Sequence, residues 1–570
     1  MRQPYPGIPR LTVFCISTHL GAWHMTSNTH QSYILWDAAF IGVITAYVLF
    51  GLWGVSLLSC DGLKISSDLC CYVQNIAGEM HRELFSQDPL LAAPTTANSI
   101  ISLESTLARL LQPGGDIVQG LLRAGAAGVF FHYAACYYLG RRLWGSPLLA
   151  ALFALLTGVT VWVSFGTYWG FGSGDITPRV FYAALFPLLL AATLSALDKP
   201  QLRPLILFAS GCGMYLHSIS SLVASCMLFT VFFFHRAKGD SLRRHAGWLL
   251  LSLAAWCIPT LLYLCSAIKS ATVFSANDLA VFQQVFDRRF LEDEGSLCNR
   301  LVGHLYHRSD CFPLLVSGVV SFFIVRRCGS PIMKRLASIV PTLLLGVGIA
   351  VLFSVVETSI AERLHRLPMG AELPRGVRFI IFLCWLMLVG AFACLWQRAP
   401  RWAGLAAIAA VVCVLVFDQG RWATGVRFAF AHSLNLPQPK HALHVLSRGA
   451  DYAEALQAVE KFVPQGAPLF AEPDAMAVRY RLYRPLSYAF KDGSSYLYSQ
   501  DAQGAARWLD LVTIRDKQGL TATWLASGTE WILCGKKSER ENIARQGTIV
   551  WSSNRWFIAK RGIAAEIATP

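Results

Sequence analysis

Apolar runs of bilayer length recur from residue 34 to residue 418, and a chain built this way cannot bury them all in one water-soluble core. They lie at Ile34–Leu58, 117–139, 147–166, 179–197, 204–235, 247–268, 312–325, 336–356, 377–396 and 402–418. A helix needs about 20 apolar residues to cross a hydrocarbon layer about 30 Å thick. The run at 204–235 exceeds one crossing and is flanked by basic residues, so it divides into two short spans that meet near His217. Eleven spans are expected. Only 15% of the 570 residues are charged and the mean hydropathy is +0.46, against about 25% charged in an ordinary soluble domain. The 17 Trp and 34 Phe suit lipid-facing surfaces and interfacial belts. The first run is too long for a signal-peptide core, lacks a small-x-small cleavage site and reads as an uncleaved anchor; Met25 offers a second start.

The net charge of +15 is unevenly placed. Connectors 141–142, 198–203, 236–245, 326–335 and 397–401 hold 14 Lys and Arg in 33 residues, whereas 59–118, 167–178, 269–311 and 357–376 hold 11 in 135. The basic set belongs on the cytoplasmic side. Residues 1–33 are then a cytoplasmic segment, and 34–418 form the membrane domain. The first outer loop, 59–118, then lies on the opposite, outward side. Within that loop Ile100, Ile101, Leu103, Leu107, Leu110 and Leu111 share helical spacing, which predicts an amphipathic surface helix over Thr96–Leu111. No basic helix carries interleaved base-stacking aromatics, so nucleic acid is not an expected partner.

From residue 419 to 570 the pattern is that of a small α/β domain on the same outer side. Tyr452, Leu456, Val459 and Phe462 share one helical face before Pro464. Short apolar runs at 468–471, 531–534 and 548–551 read as strands, and 502–513 and 538–545 as helices. The fold class is thus an α-helical polytopic membrane protein with a C-terminal extracytoplasmic α/β domain.

Chemistry is sought first in Cys60–Leu91, where the first acids gather: Asp61, Asp68, Glu79, Glu83 and Asp88. A carboxylate at the mouth of a membrane bundle keeps its charge only where water, a partner or a substrate compensates it. The chain has no P-loop, G-x-G-x-x-G, G-x-S-x-G or H-E-x-x-H, which removes the commonest nucleotide and protease chemistries. Most of the 16 Cys lie inside spans as small apolar fillers. Cys70-Cys71 has no second ligand pair at zinc spacing, so no cofactor is assigned, and a divalent metal stays open as an alternative that no ligand motif supports. Cys298 and Cys311 share one outer loop and form a candidate disulfide.

Asp68-Leu69-Cys70-Cys71-Tyr72, just beyond the first span, resembles the D-E-x-x-Y motif of the GT-C superfamily of polytopic membrane glycosyltransferases. Asp88-Pro89, Thr177-Pro178-Arg179, His217 in GMYLHSIS and ELPRGVRF at 372–379 resemble bacterial members of that superfamily, as does the layout of spans and outer domain. Leu69 stands where the family often has a second acid. The resemblance implies a bacterial inner membrane with the outward side periplasmic, and inverting transfer of a sugar from a polyprenyl-phosphate donor to a glycan, lipid or protein acceptor of the cell envelope, with membrane lipids as surroundings.

In that chemistry a carboxylate accepts the proton of the attacking hydroxyl, and Arg or His stabilises the leaving phosphate. The resemblance assigns the base to Asp68, with Asp88 as base or acceptor holder. It assigns substrate binding to Tyr72, Arg179, His217, Arg363, Arg366, Arg375 and Arg378. The bland readings are snorkelling arginines and a satisfied core histidine. Tyr168, Trp169 and Phe171 suit either a sugar platform or an aromatic belt. Arg479, Arg481, Arg484, Lys491 and Asp492 suit an acceptor site or, preferably, a polar domain face. The competing class is a non-enzymatic transporter or assembly subunit for envelope polysaccharide, which charged residues deep within spans would favour.

Overall fold

The computed structural model describes residues 27–60, 67–93, 103–112, 114–163, 168–170, 178–268, 275–290, 311–363, 373–418, 420–472 and 476–562. Local chemistry sets the helix ends. Helix α1 covers Ser27–Cys60, α2 Ser67–Met80, α3 Leu103–Leu111 and α4 Ile117–Trp144. Asp116 caps α4 by accepting the N–H groups of Val118 (2.9 Å) and Gln119 (3.1 Å), and Gly145 closes it at φ 68°, a conformation glycine adopts without cost. Helix α5 covers Pro147–Gly158, followed by a two-stranded hairpin of β1 (Val161–Trp162) and β2 (Tyr168–Trp169). The expected span over 147–166 therefore stops short. The run Val159-Thr160-Val161-Trp162-Val163 is as apolar as a span, but its β-branched side chains favour extended backbone.

The bundle continues with α6 (Pro178–Ala196), α7 (Arg203–Cys212), α8 (Met214–Phe234), α9 (Leu242–Ile268), α10 (Ala276–Phe290), α11 (Phe312–Cys328), α12 (Pro331–Arg363), α13 (Arg378–Arg398), α14 (Pro400–Phe417), α15 (Arg421–Ser433) and α16 (Lys440–Phe462). Among the described residues six helices are long and apolar enough to cross a membrane: α1, α6, α8, α9, α12 and α13; α5 and α14 are shorter apolar helices. The protein is an integral membrane protein with six such helices where eleven spans were expected. Helix α15, expected in the outer domain, packs along α1. Gly54 of α1 faces the backbone of Gly425 so closely that any side chain on it would collide with that carbonyl.

The C-terminal sheet runs β4 (Leu486–Tyr488), β3 (Leu469–Glu472), β5 (Trp531–Cys534), β7 (Phe557–Arg561), β6 (Gly547–Ser552). β3 is parallel to β4 and β5, and β7 is antiparallel to β5 and β6. Its helices are α17 (Ala477–Leu482), α18 (Asp492–Ser499), α19 (Ala502–Gln518), α20 (Leu520–Ser527) and α21 (Arg540–Ala544). The expected strands at 468–471, 531–534 and 548–551 are β3, β5 and β6. β4 and β7 are additional.

Polar contacts sort the connectors into two ends. At one end Arg142 meets Ser195, Arg335 meets Asp198 and Arg203 meets the carbonyl of His235. At the other Arg109 meets Glu79, Arg481 meets Asp116 and Arg288 meets Asp516. A hydrophobic core at this second end joins Phe85, Leu90 and Leu91 of the first loop and Phe282, Val285 and Phe286 of α10 to Phe470, Tyr488, Trp508 and Trp524 of the sheet domain.

Candidate functional site

The chain reverses between α7 and α8. The two are antiparallel: Arg203 donates to the carbonyl of His235 (2.8 Å), and the hydroxyls of Ser210 and Ser225 meet at 2.8 Å. His217 sits at the turn with an extended backbone, φ −159° and ψ 104°, inside what is otherwise continuous helix. Its ring replaces the missing helical partner. Nδ1 accepts the N–H of Ser220 (3.1 Å) and lies 2.7 Å from Ser220 Oγ, the geometry of a helix cap. A neutral ring accepting at Nδ1 carries its proton on Nε2.

Three arginines converge here. Arg378 opens α13, is 4% exposed, and donates from Nη2 to Ser220 Oγ. Arg375 lies on the 3-10 turn Leu373–Val377, which packs on α8 and α12 and sets Gly376 against Val223. Arg179 is in the first turn of α6, its guanidinium 5.1 Å from the centroid of the buried Tyr168 ring. The positive charges of Arg378, Arg179 and Arg375 all bear on His217. The N-termini of α6 and α13 and the capped start of the second half of α8 belong to helices that pack on one another or on the 373–377 turn. Each N-terminus adds a partial positive charge and unsatisfied N–H groups. Chemically the arrangement is suited to an anion with several acceptor oxygens.

The other expected residues that are described lie on other elements. Asp68 is the second residue of α2, with its side chain outside the described residues, as is Arg366. Tyr72 is half-buried on α2, and Arg363 ends α12 exposed. Cys311 is buried, and Cys298 lies outside the described residues.

Asp88 is fully enclosed. Its two oxygens accept the N–H groups of Leu90 (3.0 Å), Leu91 (3.0 Å) and Leu486 (2.8 Å) and a bidentate pair from Arg479 Nε (2.7 Å) and Nη2 (3.0 Å). Arg479, also fully buried, makes a second bidentate pair with Asp492 (2.7 and 2.9 Å) and reaches Gln74 Oε1 at 2.9 Å. The two carboxylates hold the Arg479 guanidinium more firmly protonated than usual. Burial pushes the Asp492 carboxyl up, and Arg479 pulls against it. With its acceptor capacity spent, Asp88 has no geometry for receiving a proton from a substrate. Arg479 and Asp492, expected on a polar domain face, instead join that domain to the loop that follows α2.

Sequence reasoning passed over Ser220, Glu357 and Asp418. Ser220 was legible as a capping partner three residues after His217. Glu357, buried on α12, and Asp418, buried at the break between α14 and α15, are acids within or beside apolar runs, itself a signal of function. Among the described residues no group of three or more His, Cys, Asp or Glu is arranged to hold a metal.

No protein-family model matches the chain and no curated protein matches it. Among solved structures it is similar to the crystal structure of ArnT from Cupriavidus metallidurans in the apo state, with 15% identity, a TM-score of 0.38, and coverage of 95% of this chain and 100% of that one. A TM-score of 0.38 is too loose to place a residue or an activity.

Proposed function

We propose that the protein is a GT-C-type glycosyltransferase that moves a sugar from a polyprenyl-phosphate donor to a cell-envelope acceptor with inversion. The observation that carries this reading is the convergence of Arg179, Arg375 and Arg378 on His217 among helix N-termini. A lipid-linked phosphate needs an anion pocket at the end of a membrane bundle, and a cluster of cations in a low-dielectric setting stabilises the charge that gathers on the leaving oxygen. The donor's lipid keeps the reaction at the membrane, and the second-end core brings the sheet domain to the same end as the first loop. In this reading that end faces the periplasm and residues 1–33 the cytoplasm.

The proton of the acceptor hydroxyl goes to Asp68, the motif acid at the start of α2. Asp88 serves as the joint to the sheet domain rather than as base. Tyr72, one turn along α2, lines the acceptor side. Arg363 and Arg366 lie in the segment leading into the arginine cluster and guide the donor towards it.

Asp68→Asn removes the proton acceptor while nearly preserving shape, and loss of a general base costs about 10²–10⁴-fold in rate. The test is envelope glycan analysis of a strain lacking the gene, complemented with each variant at matched protein level. The reading predicts retained donor binding and almost no product. Near-normal product from Asp68→Asn refutes Asp68 as base and favours a non-enzymatic transporter or assembly subunit.

A further inference from the structure

We propose that the basic end of the bundle, opposite the arginine–histidine cluster, holds an anionic phospholipid, with its head group on a polar shelf and an acyl chain in the adjoining apolar groove. The site is independent of the function proposed above. Two cavities carry it. One, about 930 Å³, is lined by Arg142, Trp144, Asp198, Lys199, Arg335 and Trp396. The other, about 1250 Å³, lies between α5, α11, α13 and α14 behind side chains such as Leu152, Ile324, Phe392 and Leu395. Both are lined by Cys328 and Cys394, so the polar space continues into the apolar one.

The shelf is built for an anion. It presents three cations and one carboxylate, and that carboxylate is already engaged, Asp198 Oδ1 accepting from Arg335 Nη2 at 2.6 Å. Arg142 is anchored by the carbonyl of Ala191 (2.8 Å) and by Ser195, which fixes its charge at the rim. Lys199 is exposed, and its ammonium makes no side-chain hydrogen bond among the described residues, although its charge bears on Asp198. Trp144 Nε1 is buried with no acceptor among them. A phosphodiester supplies the missing acceptor oxygens.

The groove excludes a small free anion as the whole occupant. Along α13 it runs from Trp385 to Arg398, roughly 20 Å at the helical rise, longer than the ~15 Å half-thickness of a bilayer core. Its one carboxylate, Asp418 at the far end, is turned onto the N–H of Gly420 at 2.9 Å. The head group thus sits at the level of the basic connectors, where anionic lipids attract Lys and Arg.

The experiment is native mass spectrometry of the full chain in detergent, titrated separately with dioleoyl phosphatidylglycerol, dioleoyl phosphatidylcholine and inorganic phosphate. Phosphatidylglycerol is expected to be retained several-fold better than phosphatidylcholine. Lys199→Glu, at an exposed position, should lower that retention by roughly fivefold or more, as expected for losing a cation near a lipid surface. Ala410→Trp, which fills the groove wall, should lower retention of both lipids. Equal retention of the two lipids, or indifference to Lys199→Glu, overturns the proposal, since either marks non-specific boundary lipid. Phosphate that displaces phosphatidylglycerol completely while Ala410→Trp has no effect also overturns it, in favour of a free-anion site.

Discussion

Replacing Arg479 by Met leaves two carboxylates, Asp88 and Asp492, facing each other in a site from which water is excluded. Arg479 supplies four hydrogen bonds of 2.7–3.0 Å to them and one of 2.9 Å to Gln74. Removing one partner of a buried ion pair costs about 3–5 kcal/mol. The expected loss is at the upper end of that range, because two carboxylates lose their counter-ion at once. The pH dependence has a definite sign. In the native protein Arg479 draws the Asp492 carboxyl down against burial; without it the raising effects of burial and of Asp88 are opposed only by the Gln74 hydrogen bond. Folded-state pKa values raised above the unfolded ones give stability that is present at low pH and lost as pH rises through them. The variant should therefore be weakest at alkaline pH and recover partly on acidification. Limited proteolysis and thermal unfolding of the full chain in detergent at pH 5.5 and pH 8 measure this. Adding Asp88→Asn and Asp492→Asn to Arg479→Met removes the buried charge altogether and should restore most of the loss. A single variant less than 1 kcal/mol below wild type, or a triple variant no better than the single one, refutes the reasoning.

Arg378→Lys keeps the charge but not the planar fork that reaches Ser220. It should weaken donor binding about tenfold, the scale of one charged hydrogen bond, with folding intact; unchanged binding of a polyprenyl phosphate removes the cluster from donor recognition. Gly54→Leu drives a side chain into the Gly425 backbone and should cost at least the ~1–3 kcal/mol of an overpacked core. Gly42→Leu, on the same helix with nothing near its Cβ position, is the control and should leave thermal unfolding unchanged.

The membrane class and most of the polar cluster were legible because each rests on local pattern. Hydrophobic length marks the spans, and a histidine in the middle of an overlong run marks the α7–α8 reversal. Arg179 and Arg378 stand in the first turn of an apolar helix and Arg375 on the turn just before one, so they could be named before their proximity was known. The β1–β2 hairpin was not legible from hydropathy, since a β-branched apolar run and a helical one differ in shape rather than in greasiness. The role of Asp88 was hidden for another reason. Its partner lies 391 residues away, and nothing periodic connects an aspartate after the first span with an arginine in the last domain. The placement of α15 against α1 depends likewise on two small residues meeting.

That same separation has a consequence for how the chain is made. Synthesis runs at about 5–20 residues per second, so Asp88 precedes its 391-residue-distant partner by roughly 20–80 s. Throughout that interval the newborn first loop carries a carboxylate that will later be sealed from water, and Phe85 and Leu90 lack the sheet-domain part of the core that will cover them. The last quarter of the chain thus completes the first, and a ribosome that stalls before residue 479 releases a membrane-inserted fragment with a sticky, uncapped loop.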